Sequence, residues 1–405
     1  SNFELLLILE KGICMDYKIS EEQKALIELA HDFAEKEIRP VAKELDREPD
    51  PLKRFPWDVL EKGSKLGLRT LALPVELGGA GADVLTLCMV GEELAWGDLG
   101  TAVTFDQTWK ITHLFETLTN EEQKSKYLNK FLEDDLFHLA VAMTEPSGGS
   151  DNIIPYDSPD AGVRTTAVRD GDSWIANGKK HYISNGGVAK LYIVAMRTDP
   201  SKGVSEGMTY FLLDPSMEGF DYGKFHDKLG QRLSLNAELL FNDCRIPDEH
   251  RITEVNKAME ARKTFVLGSN IEAAATVLGT ARASHEDALE YARNRVQGGK
   301  PIIEHQAVGF MLCDSFAEYE ASRQMLHYAA WTASDRNLYD PKMGFMTKSF
   351  VSEASFRIAT RSMEVWGGMG YMTEAPMEKY LRDVTSFLHS DGTNQTMRIR
   401  SMKHL

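Results

Sequence analysis

The sequence has little cysteine. Its four residues of that type, Cys14, Cys88, Cys244 and Cys313, are scattered along 405 positions, form no C-x-x-C pair and show no metal-ligand spacing. A disulfide scaffold and a cysteine-built metal centre are therefore not expected; free thiols suit a reducing compartment, and the expected localisation is cytoplasmic. Basic residues are outnumbered as well, 46 Lys plus Arg against 61 Asp plus Glu, a balance that repels phosphate backbones and gives no support for nucleic-acid binding. No apolar run approaches the roughly 20 residues of a membrane span. The apolar stretch 3–8 carries Glu4 and lacks a basic flank, so it does not read as an anchor. No G-x-G-x-x-G follows a strand-like run, which leaves a Rossmann-type nucleotide site unsupported, and no internal repeat or low-complexity segment is present.

What is present is enough apolar sequence, 42% of residues, to bury a substantial core. Ser1 and Asn2 look like an expression scar, and Met15 directly precedes a helix start, so residues 1–14 are expected to be leader or tag. Ser20 and Gln23 predict a capping box, with Leu26, Ala30 and Phe33 on one helical face until Pro40 bends or interrupts it. Helical periodicity over 57–66, 85–96 and 121–132 makes residues 15–135 an N-terminal helical domain. The period then shortens: 138–143, 165–169, 173–176, 181–184, 191–197, 208–213 and 238–241 are β-rich runs. Asp170 with Gly171 and Asn177 with Gly178 read as hairpin turns between them. Residues 136–250 are thus expected to form a small β-barrel or sandwich. Long helical patterns return over 271–295, 305–335, 342–366 and 393–403, a four-helix bundle spanning 251–405. The expected fold class is a multi-layer α+β architecture of helical domain, central β-barrel domain and helical bundle.

Four segments occur in order: MTEPSGGSD at 143–151, NGKKHYISNGG at 177–187, LGQR at 229–232, and WGGMGY at 366–371 leading to Arg382 and Asp383. They resemble the signatures of the acyl-CoA dehydrogenase family, and the resemblance covers nearly the whole chain. It implies an α domain, a β domain and an α bundle assembled as a homotetramer, with FAD as cofactor.

Gly148 and Gly149 let backbone approach a planar ring, and the hydroxyls of Thr144 and Ser150 can donate to flavin or substrate oxygens. The resemblance assigns Met143 and Thr144 to the pyrimidine edge of the flavin and Ser150 to the region between flavin and thioester. It assigns Tyr182 to packing against the isoalloxazine and Ser184 to a bond near its reactive nitrogen; taken alone, a tyrosine on a strand equally reads as core. Arg295, Glu364 and Gly368 stand where the family holds the pyrophosphate and adenine of a neighbouring subunit's dinucleotide, and an Arg matches paired phosphate oxygens. Without the resemblance, Arg295 is a solvated helix-end residue and Gly368 ends a helix. Thr393 and Gln395 are counted with the cofactor contacts, and Gly392, Asp106 and Ser150 with the substrate. Arg232 and the triplet Glu304, His305, Gln306 read as structural or interface residues. No metal is expected.

The reaction implied takes the α-proton as H⁺ and the β-hydrogen as hydride, so a carboxylate must face the substrate. The family's usual Glu-Gly-Thr triplet is here Asp391, Gly392, Thr393. Asp reaches roughly 1.5 Å less far than Glu, and proton transfer is sensitive to such a gap. Asp391 is the first candidate base, the alternative being an Asp that only caps the final helix. Relatives that carry the base on the first bundle helix have Ser269 as the matching position here, with Glu272 about a turn away. Asp106, in the stretch 104–107, aligns with the acyl-pocket wall. It is either a second base, as in relatives that oxidise cyclic acyl-CoA esters, or a solvent-facing acid. Two departures bear on substrate: Leu267 and Asn270 replace the usual Asp-x-x-Arg on the CoA side, and the loop 152–162 is long, reading either as an entrance to the thioester narrowed by Tyr156 or as a disordered surface loop.

The reading that follows is FAD-dependent dehydrogenation of a short, branched or cyclic acyl-CoA, with an electron-transferring flavoprotein as acceptor. A flavin oxidase or monooxygenase of the same fold, and a catalytically silent FAD-binding subunit of a hetero-oligomer, remain as alternatives.

Overall fold

The computed structural model describes residues 18–152, 157–262, 268–335 and 337–405. The expected leader, and with it Met15, Tyr156 and Leu267, lies outside the described residues. The chain enters through α1 (Glu21–Phe33), whose capping box forms as the sequence predicts, each of Ser20 and Gln23 accepting the other's backbone N–H. Pro40 has no N–H to continue that helix. The turn instead widens into a π-helical segment, Ala34–Ile38, and restarts as α2 (Arg39–Arg47) with Pro40 in its first turn. Next come α3 (Trp57–Lys65), α4 (Val84–Gly97), α5 (Leu99–Leu118) and α6 (Glu121–Glu133). Almost every residue of α5 up to Phe115 is buried. Asp98 fixes its start by accepting the Thr101 N–H at 2.7 Å.

The middle layer is one curled sheet of β1 (His138–Ala142), β2 (Thr166–Asp170), β3 (Ser173–Ser184), β4 (Ala189–Arg197), β5 (Met208–Leu213), β6 (Phe220–Phe225) and β7 (Asn236–Pro247). The strand order is β1-β4-β2-β3-β7-β6, with β5 paired to β4. The Asp170–Gly171 hairpin is present, Asp170 pairing with Ser173. Asn177 and Gly178 correct the expectation: they make no turn, and β3 runs through them. Gly178 has φ +137°, and the ladder with β7 shifts register between Ala176 and Gly178. A side chain there would meet the Thr165 backbone at 2.7 Å, so the glycine serves a bulge rather than a hairpin. β6, which the alternation did not reveal, closes the far edge of the sheet.

The last layer comprises α7 (Ser269–Asn294), α8 (Gln306–Ala333), α9 (Pro341–Trp366) and α11 (Asn394–Met402), matching the four expected helices, with a further short helix, α10 (Met377–Thr385), between the last two. One hydrophobic core runs from α1 through α4 and α5 into α7, α8 and α9, so the two helical layers share an interior. Cys88, Cys244 and Cys313 are free thiols. Among the described residues no helix is long and apolar enough to cross a membrane.

Candidate active site

The segment after β1 turns tightly because its backbone bonds to itself: Glu145 N–H to Gly148 O at 2.8 Å and Gly148 N–H to Glu145 O at 3.2 Å. The Glu145 carboxylate is buried and accepts from Arg164 N, Thr165 N and Lys180 Nζ, so the signature's acid is a scaffold for the loop and not a reactant. Burial pulls the Lys180 pKa down to about 8, against the attraction of Glu145. Asp151 accepts from Gly149 N and Gly162 N and closes the other side of the loop. His181 N–H bonds Thr144 O at 2.8 Å, which joins this loop to the end of β3. At Gly148 a Cβ would lie 2.8 Å from Gly162 O. Gly148→Ala is therefore expected to cost about 1–3 kcal/mol by overpacking, read as a lower denaturation midpoint.

Met143, Thr144, Gly149, Ser150, Tyr182, Ser184, Asp391, Gly392 and Thr393, all singled out in the sequence, line one cavity of about 910 Å³. Tyr182 is not core: it stands 60% exposed with φ +56°, an apolar face turned outward on a strained backbone. Ser184 is held by Asn236 Nδ2 at 3.2 Å, and Ser150 Oγ accepts from Thr396 Oγ1 at 3.0 Å. A Cβ at Gly149 would meet nothing within 4 Å. An exposed ring, an open backbone and several hydroxyls along one wall fit a planar isoalloxazine with a polar pyrimidine edge.

Asp391 sits in the loop before α11 with φ +51°. The loop is pinned from three sides: Asn270 Nδ2 donates to Asp391 O at 2.8 Å, and Lys348 Nζ donates to Gly392 O at 2.7 Å and Phe387 O at 2.6 Å. Thr393, not Asp391, caps α11, accepting the Thr396 N–H at 3.1 Å. The carboxylate of Asp391 is left to face Lys110, with 3.3 Å between Oδ2 and Nζ, while the same Nζ lies 2.6 Å from Asp106 Oδ2. One ammonium thus stands between two carboxylates. Asp106 does not reach solvent as one sequence reading had it. It is 1% exposed, its Oδ1 has no hydrogen-bond partner, and Lys110 rather than Asp106 lines the cavity.

Glu272 completes the cluster from α7, buried and with Oε2 unpartnered. Burial, then the charge of Asp106, pushes its pKa up to about 8, which favours the protonated form. Burial also pushes Asp106 up, to about 6, against the pull of Lys110. Burial disfavours the Lys110 charge, but Asp106, Asp391 and Glu272 outweigh it and hold that pKa above the ordinary lysine value. The raised Glu272 pKa has a defined sign in stability. The folded chain keeps a proton that the unfolded chain releases above its ordinary value of 4.5. This contribution is complete below that pH and is lost as pH rises through about 8. Glu272→Gln should flatten the decline of melting temperature across that window; parallel curves for variant and parent would contradict the assignment.

Arg295, Glu364 and Gly368 come together elsewhere, around a second cavity of about 730 Å³ that shares no lining residue with the first. Tyr291 and Trp366 stack in it at 4.1 Å. Gln395 is exposed and lines neither cavity. Arg232 is structural, bonding Asp46 O and Asp227, and His305 bonds Gln297 O.

Models of the N-terminal, middle and C-terminal domains of acyl-CoA dehydrogenase match residues 20–135, 140–244 and 263–405. The chain belongs to the acyl-CoA dehydrogenase family. As an acyl-CoA dehydrogenase it is an oxidoreductase acting on CH–CH bonds, in a family of flavoproteins. It is 33% identical over 389 residues to an acyl-CoA dehydrogenase of Bacillus subtilis, covering 96% of this chain and 98% of that one. It is 34% identical over 385 residues to a cyclohex-1-ene-1-carbonyl-CoA dehydrogenase of Geobacter metallireducens, covering 94% and 97%. The structure of butyryl-CoA dehydrogenase from Megasphaera elsdenii superposes on this acyl-CoA dehydrogenase with a TM-score of 0.88 at 31% identity, covering 96% and 99%.

Proposed function

We propose that the chain binds FAD in the larger cavity and dehydrogenates a short, branched or cyclic acyl-CoA, with Asp391 as the base. The observation that carries this reading is the Asp391 carboxylate, 28% exposed on a loop pinned by Asn270 and Lys348, in the same cavity as Thr144, Ser150 and Tyr182. Asp391 takes the α-proton of the thioester, and the electron pair left behind forms the new C=C bond as the β-hydrogen departs as hydride. Flavin, when bound, supplies the hydride acceptor. Thr144 and Ser150 offer hydroxyls to ring and thioester oxygens, Ser184 offers one near the reactive nitrogen of the ring, and Tyr182 gives the ring an apolar face. Asp106, behind Lys110, is a positioning residue that keeps the ammonium in place.

Lys110 in the lining, its ammonium held between Asp106 and Asp391, leaves little room for a long apolar acyl chain, since methylenes packed there would take the water from a charged cluster. This supports a short or cyclic acyl group, and the likeness to the Geobacter enzyme makes the cyclic class the one to try beside butyryl thioesters. The second cavity, apart from the first, supports a homotetramer in which Arg295, Glu364 and Gly368 hold the nucleotide end of a neighbouring subunit's FAD. Reoxidation by an electron-transferring flavoprotein completes the proposed cycle.

The test is anaerobic mixing of purified protein with linear, branched and cyclic acyl-CoAs while following the oxidised flavin band near ~450 nm. Bleaching by one class names the acyl group. Retention of FAD with no bleaching by any thioester would overturn the dehydrogenase reading and leave the silent-subunit or oxidase alternatives.

A further inference from the structure

We propose that His181, His226 and Glu238 form a binding site for one divalent transition-metal ion of the Zn²⁺ type, on the β domain beside Tyr182. One ligand atom from each residue lies within 4.8 Å of the other two. His181 Nδ1 and Glu238 Oε1 are 2.8 Å apart, and the rings of His181 and His226 are 4.6 Å apart.

Strands β3 and β7 deliver His181 and Glu238, and His226 follows directly on the end of β6; the sheet is irregular where they meet. The β3–β7 ladder shifts register between Lys180 and Ile183, which brackets His181. The β6–β7 ladder shifts between Tyr222 and Phe225, just before His226. Bulges of this kind re-aim side chains, and here both aim them at one point. Gly223 is part of the same arrangement, because a Cβ there would lie 2.6 Å from Glu238 Oε2.

The independent observation is His226. It is 8% exposed, and its Nε2 is buried without a hydrogen-bond partner. A buried imidazole nitrogen without a partner loses its hydration for nothing in return, whereas a metal ion would restore that loss. The Nδ1 of His181 likewise makes no well-formed hydrogen bond despite its closeness to Glu238. The other Glu238 oxygen accepts the Lys224 N–H at 3.1 Å, an anchor that orients a ligating carboxylate. Two imidazoles and one carboxylate, with no thiolate, suit Zn²⁺ or Ni²⁺ and leave a further coordination position for water; Ca²⁺ and Mg²⁺ prefer all-oxygen sets. An ion here would tie the end of β3 to β6 and β7. Tyr182, whose ring lies 3.9 Å from that of His181 and 4.7 Å from that of His226, would be tied with it.

Isothermal titration of the EDTA-treated full chain with ZnCl₂, repeated with MgCl₂, tests the site. One Zn²⁺ per chain at about 1 μM or tighter is expected, with no heat from Mg²⁺. His226→Gln and Glu238→Gln should each weaken binding by on the order of 100-fold, while His404→Gln, at a histidine outside the cluster, leaves it unchanged. Melting curves in EDTA identify any variant that has lost its fold. X-ray absorption of the loaded protein should show nitrogen and oxygen neighbours only. Zn²⁺ affinity unaltered in both cluster variants, or no saturable binding by the parent chain below about 100 μM, would overturn the proposal and leave the three residues as an ion pair beside a packed ring.

Discussion

Asp391→Asn is expected to lower kcat by about three orders of magnitude while acyl-CoA still binds, seen as a perturbed flavin spectrum without bleaching. The amide keeps the size of the side chain and the backbone bonds from Asn270 and Lys348, so the loop stays in place and only the proton acceptor is lost. Asp391→Glu separates reach from charge. It adds roughly 1.5 Å and should retain most of the activity, with a changed preference among acyl groups because the cavity is shortened. Asp106→Asn should have the smaller effect on kcat, since Asp106 touches the cavity only through Lys110. The reverse order, with Asp106→Asn inactive and Asp391→Asn active, would move the base to α5 and require Lys110 to swing away during turnover.

The layers of the fold were legible because their periods differ, and α1, the Asp170–Gly171 hairpin and the long bundle helices all carried local signals strong enough to survive packing. Asn177 with Gly178 was misread because the same pair serves a hairpin or a bulge; the choice lay in Thr165, which packs too close for any side chain. β6 was hidden although it is no shorter than β1 or β2, because the alternation of Phe220, Asp221 and Tyr222 breaks at Gly223. In the site, Asp391 was found through its triplet, but its freedom from capping depended on Thr393 taking that role. Lys110 carries a sign of its own in the sequence: together with Asp106 it makes an i,i+4 charge pair in a stretch of helix, 99–112, with no other charge. Glu272 stood out only as lying about a turn from Ser269, because nothing local says which face of α7 meets α5. Tyr182 was ambiguous between core and cofactor face, and only its exposure separates the two.

The second large effect concerns what holds the acid cluster together. Lys110 and Asp106 are 4% and 1% exposed in their side chains, so their mutual attraction is little screened; without Lys110, Asp106 would be a buried charge with no counterion, whereas Lys110 without Asp106 would keep Asp391 at 3.3 Å. Lys110→Met keeps the stem and removes the ammonium, and it should cost about 3–5 kcal/mol in denaturant unfolding. Asp106 would then be driven to its protonated form beside Glu272, whose protonated form burial already favours. Adding Asp106→Asn to Lys110→Met removes the orphaned charge and should restore much of the loss, so the double-mutant cycle reports a coupling of about 2–3 kcal/mol. Activity need not follow stability. Asp391 loses its 3.3 Å partner in both variants, so if Lys110 positions the base, kcat stays depressed in the double variant although the fold has recovered. A Lys110→Met chain as stable as its parent would mean that the ammonium stabilises nothing. A double variant recovering stability and kcat together would confine Lys110 to the fold and leave Asp391 positioned by its loop alone.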